Sequence, residues 1–98
     1  MADDFTTDGT FAATTASQSL IEKHFDEKTP REEFSIANNG TANEIVYVSF
    51  GNVAVAGQGI PLRNGQVLIQ SAAQGYKVFQ GRVNIIASAN VNVGFYYR

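Results

Sequence analysis

The side chains able to do acid–base or metal chemistry are confined to the first 44 positions. Asp3, Asp4, Asp8, Glu22, Asp26, Glu27, Glu32, Glu33 and Glu44 are all of the carboxylates, His24 is the one histidine, and there is no cysteine. From Ile45 to Arg98 the charged residues are Arg63, Lys77, Arg82 and Arg98, so this half offers no usual general base, metal ligand or activated nucleophile. The pattern points away from an enzyme, and no catalytic, cofactor-binding or metal site is expected. His24, beside Glu22 and Asp26, lacks the further ligands a metal needs and reads as a solvated or interface residue. Asp3, Asp4 and Asp8 lack the loop spacing of a calcium cage. Gly57-Gln58-Gly59 reads as a turn, because Pro61 and the Asn64-Gly65 turn leave no helix after it whose N-terminus could hold a phosphate.

The charges are divided as sharply as the chemistry. Nine acids against Lys23, Lys28 and Arg31 give the first 44 residues −6, and the four bases that follow give the rest +4, for a net −2. Opposite blocks attract, within one subunit or between neighbours, and the attraction is expected to weaken as salt rises. The basic residues interleave with Tyr47, Tyr76, Tyr96 and Tyr97, as on a single-strand nucleic-acid surface. Four positive charges are too sparse for that, and the acidic segment repels phosphate, so no nucleic acid partner is expected. The same aromatics suit a sugar-binding face, although sugar sites usually add Asp or Glu. They equally suit a core or a subunit interface, where Tyr and Arg are enriched. Asn84, Ser88, Asn90 and Asn92 are uncharged and able to hydrogen-bond, which suits a surface laid against another protein. The interface candidates are Phe5, Phe11, Arg82, Asn92, Tyr96 and Arg98.

The elements that must position these residues change character along the chain. Residues 1–16 are rich in Thr, Ala, Asp and Gly with no period of 2 or 3.6, and predict an extended arm on which Phe5 and Phe11 are lone anchors. From Ser17 to about Lys28, Leu20, Ile21 and Phe25 share one helical face and Ser19 with Glu22 has capping-box spacing, which predicts one short helix. Thr29 to Glu33 reads as a linker. From Phe34 the period becomes 2. Phe34 and Ile36, the Asn38-Asn39-Gly40-Thr41 turn and the strand Glu44 to Phe50 predict a hairpin. Gly51-Asn52, Gly57 to Gly59 and Asn64-Gly65 mark further turns, with strands over Val67 to Ser71 and Tyr76 to Phe79.

The last segment is the plainest. Every odd position from Val83 to Tyr97 is apolar, which sets one inward face. A single strand of that length would span roughly 50 Å at about 3.3 Å per residue, so a bend or turn is expected near Ser88 to Asn90. Keeping the odd set inward requires an odd loop length, such as three residues, or a bent continuous strand. The fold class expected is therefore all-β: a small antiparallel β-sandwich or barrel of six or seven short strands over residues 32–98. An extended N-terminal arm with one short helix precedes it over residues 1–31.

A core of roughly 65 residues buries only about 60% of the surface that the unfolded chain exposes, which is marginal without disulfides or metals and favours a partner surface. No apolar run is long enough for a membrane span, and Met1-Ala2-Asp3-Asp4 lacks the basic and apolar regions of a signal peptide, so a soluble protein made in the cytoplasm is expected.

The run Glu44-Ile-Val-Tyr-Val-Ser-Phe-Gly51, then Gly59-Ile-Pro-Leu62, Asn64-Gly65-Gln66, Arg82-Val-Asn-Ile-Ile-Ala-Ser-Ala89 and Val91-Asn-Val93 resembles small β-rich structural proteins of bacteriophage virions. A "Tyr-Val-x-Phe-Gly" strand, an "Ile/Phe-Pro-Leu-x-x-Gly" turn and an "Ile-Ala-Ser/Ala" strand recur there in that order. The match covers positions 44–93, and residues 1–43 do not share it. The resemblance implies a capsid decoration, cement, vertex or fibre component and carries over no catalytic residue. A non-enzymatic capsid decoration or minor capsid protein is the function expected. Its partners would be itself, as a homo-oligomer, and a major capsid or other virion protein, in a virion assembled in the host cytoplasm. A carbohydrate- or receptor-binding module of a phage tail or spike is the alternative.

Overall fold

The computed structural model describes residues 7–24, 29–74 and 77–98. Apart from one 3₁₀ turn at Ala72–Gln74, the regular elements there are strands: β1 Thr7–Ala13, β2 Gln18–Ile21, β3 Glu33–Asn38, β4 Val46–Phe50, β5 Ile60–Leu62, β6 Val67–Ser71, β7 Val83–Ala87 and β8 Val91–Tyr97. They form two antiparallel sheets of four, in the orders β1-β8-β3-β6 and β2-β7-β4-β5. The pairings nest, β1 with β8, β2 with β7, β3 with β6 and β4 with β5, so the chain is one long hairpin folded about residues 51–59. Successive rungs of that hairpin fall in alternate sheets. Rolling it up adds the lateral pairs β3–β8 and β4–β7, which gives the connectivity of a double-sheet jelly roll.

Alternation explains the core between the sheets. Phe34 and Ile36 of β3 and Val91 and Val93 of β8 point inward from one sheet. Val46 and Val48 of β4, and Val83, Ile85 and Ala87 of β7, meet them from the other. Each fully buried Val, Ile or Phe contributes about 1.5–3 kcal/mol relative to an exposed one. The odd set of the last segment is inward as expected, except that Ala89 is exposed and Phe95 and Tyr97 are half-buried. The connection at residues 88–90 has the expected three residues, yet it carries the chain from one sheet to the other instead of closing a hairpin.

Several expectations are corrected. The helix expected from Ser17 does not form in the described residues: Gln18–Ile21 is strand β2, which pairs with β7 with a bulge between Ser19 and Ile21, and residues 22–24 are irregular. Leu20 and Ile21 are both buried although adjacent. A bulge lets two successive side chains enter a core, which is the feature that imitated a helical face. The second half of that helix, residues 25–28, lies outside the described residues. The arm is likewise strand from Thr7 to Ala13, in seven-residue register with β8, and so lies on the N-terminal side of the boundary expected at residue 31 while belonging to a sheet. Its low-contrast pattern, Gly9, Phe11 and Ala13 against Asp8, Thr10 and Ala12, hid the period of 2. With β1 in place, the β8 backbone is paired on both sides.

β3 and β4 are not a hairpin, since they lie in different sheets and residues 39–45 cross between them, with Asn43 at φ 63°. No strand forms over residues 77–79. Phe79 instead donates its N–H to Gln70 Oε1 (2.8 Å) and packs its ring on Phe50, centroids 5.2 Å apart. The turn expectations hold at Asn64-Gly65 and Gly57 to Gly59. Gly59 has φ 83°, and a Cβ there would collide with the Val48 carbonyl oxygen.

Candidate interaction surfaces

β3 continues its inward set of Phe34 and Ile36 to Asn38, which is fully buried at the edge of the core. Asn38 Nδ2 donates to the Glu44 and Leu62 carbonyls (both 2.8 Å), and Asn38 Oδ1 accepts from Gly40 N (2.8 Å) and Asn64 Nδ2 (3.3 Å). Asn64 Oδ1 in turn accepts from Asn43 N (2.6 Å), and Ser88 Oγ accepts from Ile45 N (2.9 Å). The Asn38 and Asn64 amides thus tie the connections 39–45 and 63–66 together, and the Ser88 hydroxyl with the Ser88 N–H to Ile45 carbonyl bond (2.9 Å) joins the connection 88–90 to them. The Glu44 carboxylate accepts from Ala42 N (2.8 Å) and Asn64 Nδ2 (3.1 Å), and those donors, Ala42 foremost, hold its pKa below the usual carboxylate range. Beside this network lies an open groove of about 340 Å³ whose walls include Thr14, Asn39, Thr41, Asn90 and Asn92, with Glu44 among its lining residues.

The other end is organised by a cation. Arg31 is only 3% exposed, although the sequence places it in a linker. Its NH1 donates to the Phe79 (2.8 Å) and Gly81 (3.3 Å) carbonyls and its NH2 to the Glu22 carbonyl (2.7 Å). Arg31 N and O exchange hydrogen bonds with the Gln80 side-chain amide (2.7 and 2.8 Å). The guanidinium lies near the Phe34 and Tyr97 rings, 5.9 and 5.7 Å from their centroids, so π-faces and carbonyl dipoles stand in for a carboxylate. Burial pushes its pKa down, but a guanidinium remains charged at neutral pH.

The sequence candidates fall in separate places. Phe5 lies outside the described residues. Phe11 is on β1 and packs against the core, so it is no free anchor. Arg82 is exposed and pairs with Glu22 at 3.2 Å. Asn92 is exposed on the groove wall. Tyr96 and Arg98 are brought together on Glu33: the Tyr96 hydroxyl donates to Oε2 (2.5 Å) and Arg98 Nε to Oε1 (2.6 Å). The hydroxyl and then the guanidinium hold the Glu33 pKa low, and the same contact raises that of Tyr96. The ion pairs Glu22–Arg82 and Glu33–Arg98 each join an acid of the first half to a base of the second, so part of the charge division is satisfied inside one subunit.

Among the described residues the tyrosines do not gather on one face. Tyr97 faces inward beside Phe95 (ring centroids 6.4 Å), while Tyr47 and Tyr96 are on strands of different sheets and Tyr76 is outside the described residues. His24 donates Nε2–H to the Thr29 carbonyl at 2.6 Å. Among the described residues no three His, Cys, Asp or Glu side chains are grouped as metal ligands, and no helix is long and apolar enough to cross a membrane.

Sequence reasoning missed Asn38 and Arg31. The signal for Asn38 was present, since extending the inward phase of Phe34 and Ile36 by two residues reaches it. Arg31 had no local signal, because most of its partners, Phe79, Gln80, Gly81 and the Tyr97 ring, are distant in sequence. The large aliphatic side chains left exposed are Val53 and Val55 in the β4–β5 connection, Ile60 on β5, and Val67 and Ile69 on β6. Comparison with known proteins finds no match among family models, curated proteins or solved structures.

Proposed function

We propose that this chain is a non-enzymatic structural protein of a bacteriophage virion, a capsid decoration, cement or minor capsid component assembled in the host cytoplasm. It associates with its own copies and binds the capsid shell. The observation that carries this is the placement of exposed aliphatics at the sheet edges. Val67 and Ile69, each 52% exposed, share the outer side of β6 at the edge of one sheet, and Ile60 lies on β5 at the edge of the other. Apolar side chains grouped on a small domain favour burial against another protein. The jelly-roll connectivity adds support by analogy only, since capsid domains, lectins and cupins share it. In an array many weak contacts act together, so no single interface needs to be tight. Sedimentation velocity and negative-stain microscopy of the purified chain over a concentration series test it. Oligomers larger than a dimer or regular arrays are expected, and a chain that forms neither would sink the proposal.

The groove favours one alternative, a carbohydrate- or receptor-binding module of a tail or spike. Asn39, Asn90 and Asn92 bring neutral hydrogen-bonding groups there, and Glu44 adds the carboxylate that the second half of the chain lacks. Binding to a glycan array that Asn92→Ala abolishes would favour this alternative over the first.

A further inference from the structure

A sheet of four has two edges, and three of the four edges here carry a device that discourages pairing with another chain. β1 carries the exposed Asp8, β2 is broken by its bulge, and β5 is three residues long with Pro61 at its centre. Charges, bulges, proline and shortness are the known ways of blunting an edge. β6, with the sequence Val-Leu-Ile-Gln-Ser, has none of them. Its five residues pair with β3 in unbroken register and include no charge and no proline.

The backbone of β6 has a defined free side. Asn38 N–H donates to the Gln66 carbonyl (3.1 Å) and Ala72 N–H to the Glu32 carbonyl (2.8 Å). Hydrogen-bonded pairs in an antiparallel ladder recur every two residues, so between these two bonds Leu68 and Gln70 turn their N–H and C=O toward β3. Val67, Ile69 and Ser71 turn theirs away, and among the described residues these backbone groups have no partner.

We propose that β6 is the surface through which two copies of this chain join, antiparallel and related by a two-fold axis at Ile69, making one eight-stranded sheet. This rests on, and deepens, the assembly proposed above. Self-complementarity identifies the occupant. With Ile69 opposite Ile69 of the second copy, and Val67 opposite its Ser71, every free group on both edges is used in six hydrogen bonds. Registers centred on Leu68 or Gln70 engage only two of the three residues and form four. Charge agrees with a second copy. β6 is neutral, Ser35 and Ala37 behind it are neutral, and Glu33 is already paired with Arg98, so the two edges meet without like charges in register. The pairing brings Val67 and Ile69 of both copies into one apolar stripe. It is closed, because a two-fold contact uses the edge up. A five-residue edge covers less than the ~800 Å² per partner of a standard interface, so the dimer is weak alone and effective in an array.

Backbone amide exchange by NMR, over concentrations up to on the order of 1 mM, reads the contact directly. Leu68 and Gln70 are expected to be protected at every concentration, while Val67, Ile69 and Ser71 become protected only as concentration rises. Ile69→Lys, which sets two ammonium groups opposite each other, is expected to weaken dimerisation at least about tenfold by sedimentation equilibrium. Val67→Pro removes an N–H that β3 does not use, at a first-strand position that tolerates proline, and should weaken it as well. Circular dichroism confirms that each variant folds. If an oligomer persists unchanged in both folded variants, the β6 contact is wrong while the assembly proposal stands. A dimer lost in both variants without any larger assembly upholds the contact and sinks the virion proposal. Exchange at Val67, Ile69 and Ser71 that does not change with concentration overturns the inference outright.

Discussion

The Arg31 guanidinium carbon lies 5.7 Å from the centroid of the Tyr97 ring, so a residue just ahead of β3 and a residue at the end of β8 meet around a buried cation. The same guanidinium bonds the Glu22, Phe79 and Gly81 carbonyls, and thereby closes one end of the space between the sheets.

Arg31→Ala should therefore destabilise the fold by about 3 kcal/mol, because three carbonyls lose their charged donor and a cavity opens beneath two rings. That is a large share of a total stability of about 5–15 kcal/mol. Arg31→Lys should recover little, since a point charge cannot reproduce a planar fork. Urea unfolding measures both. An unchanged midpoint for Arg31→Ala would show that the cage is incidental.

Asn38→Asp should be more damaging than Asn38→Ala. The amide donates to the Glu44 and Leu62 carbonyls, and a carboxylate there would turn two donations into two repulsions while burying a charge. Thermal unfolding should rank the variants native, then Ala, then Asp. Equal melting temperatures for native and Asp would remove Asn38 from its place at the centre of the loop network.

The Glu33–Tyr96–Arg98 group predicts a stability plateau with two shoulders. Glu33 titrates lower in the fold than in the unfolded chain, so its contribution is complete above the ordinary carboxylate pKa of about 4.3 and is lost as pH falls through the folded value. Tyr96 titrates higher, so its contribution is complete below about 10 and is lost as pH rises through the folded value. Tyr96→Phe should flatten both shoulders in a series of melting temperatures against pH. A profile identical to the native one would mean that the contact contributes nothing to stability.

Val93 is fully buried and Asn92 exposed, so Val93→Asp should cost at least about 3 kcal/mol, whereas Asn92→Asp should stay within about 0.5 kcal/mol. Circular dichroism and thermal melts distinguish them. Loss of fold in Asn92→Asp with Val93→Asp intact would invert the faces of β8.

What the chain spells out by itself is local. The odd positions from Val83 select an inward face wherever the strands run, because side chains alternate with a period of 2 whatever the partner strand. The Asn64-Gly65 and Gly57 to Gly59 turns are equally legible, since positive φ is cheap only for a few residue types. All-β character and the three-residue break after β7 follow from the same two facts. Which strand lies beside which is not local. Phe34-Ser-Ile36 and Val46-Tyr-Val48 carry the same alternation, and nothing in either states that they face each other across the core from different sheets. That choice comes from rolling the long hairpin so that all apolar faces close on one interior, and it pairs Thr7 with Tyr97 across almost the entire chain. β1 and β2 could be recognised only once β8 and β7 were there to pair with them. The burial of Arg31 depends on Phe79, Gln80 and Gly81, and the bareness of the β6 edge depends on β3 having taken its other side. Partners far apart in sequence decide such features, because hydrogen bonds and burial are satisfied in space, while propensity acts only along the chain.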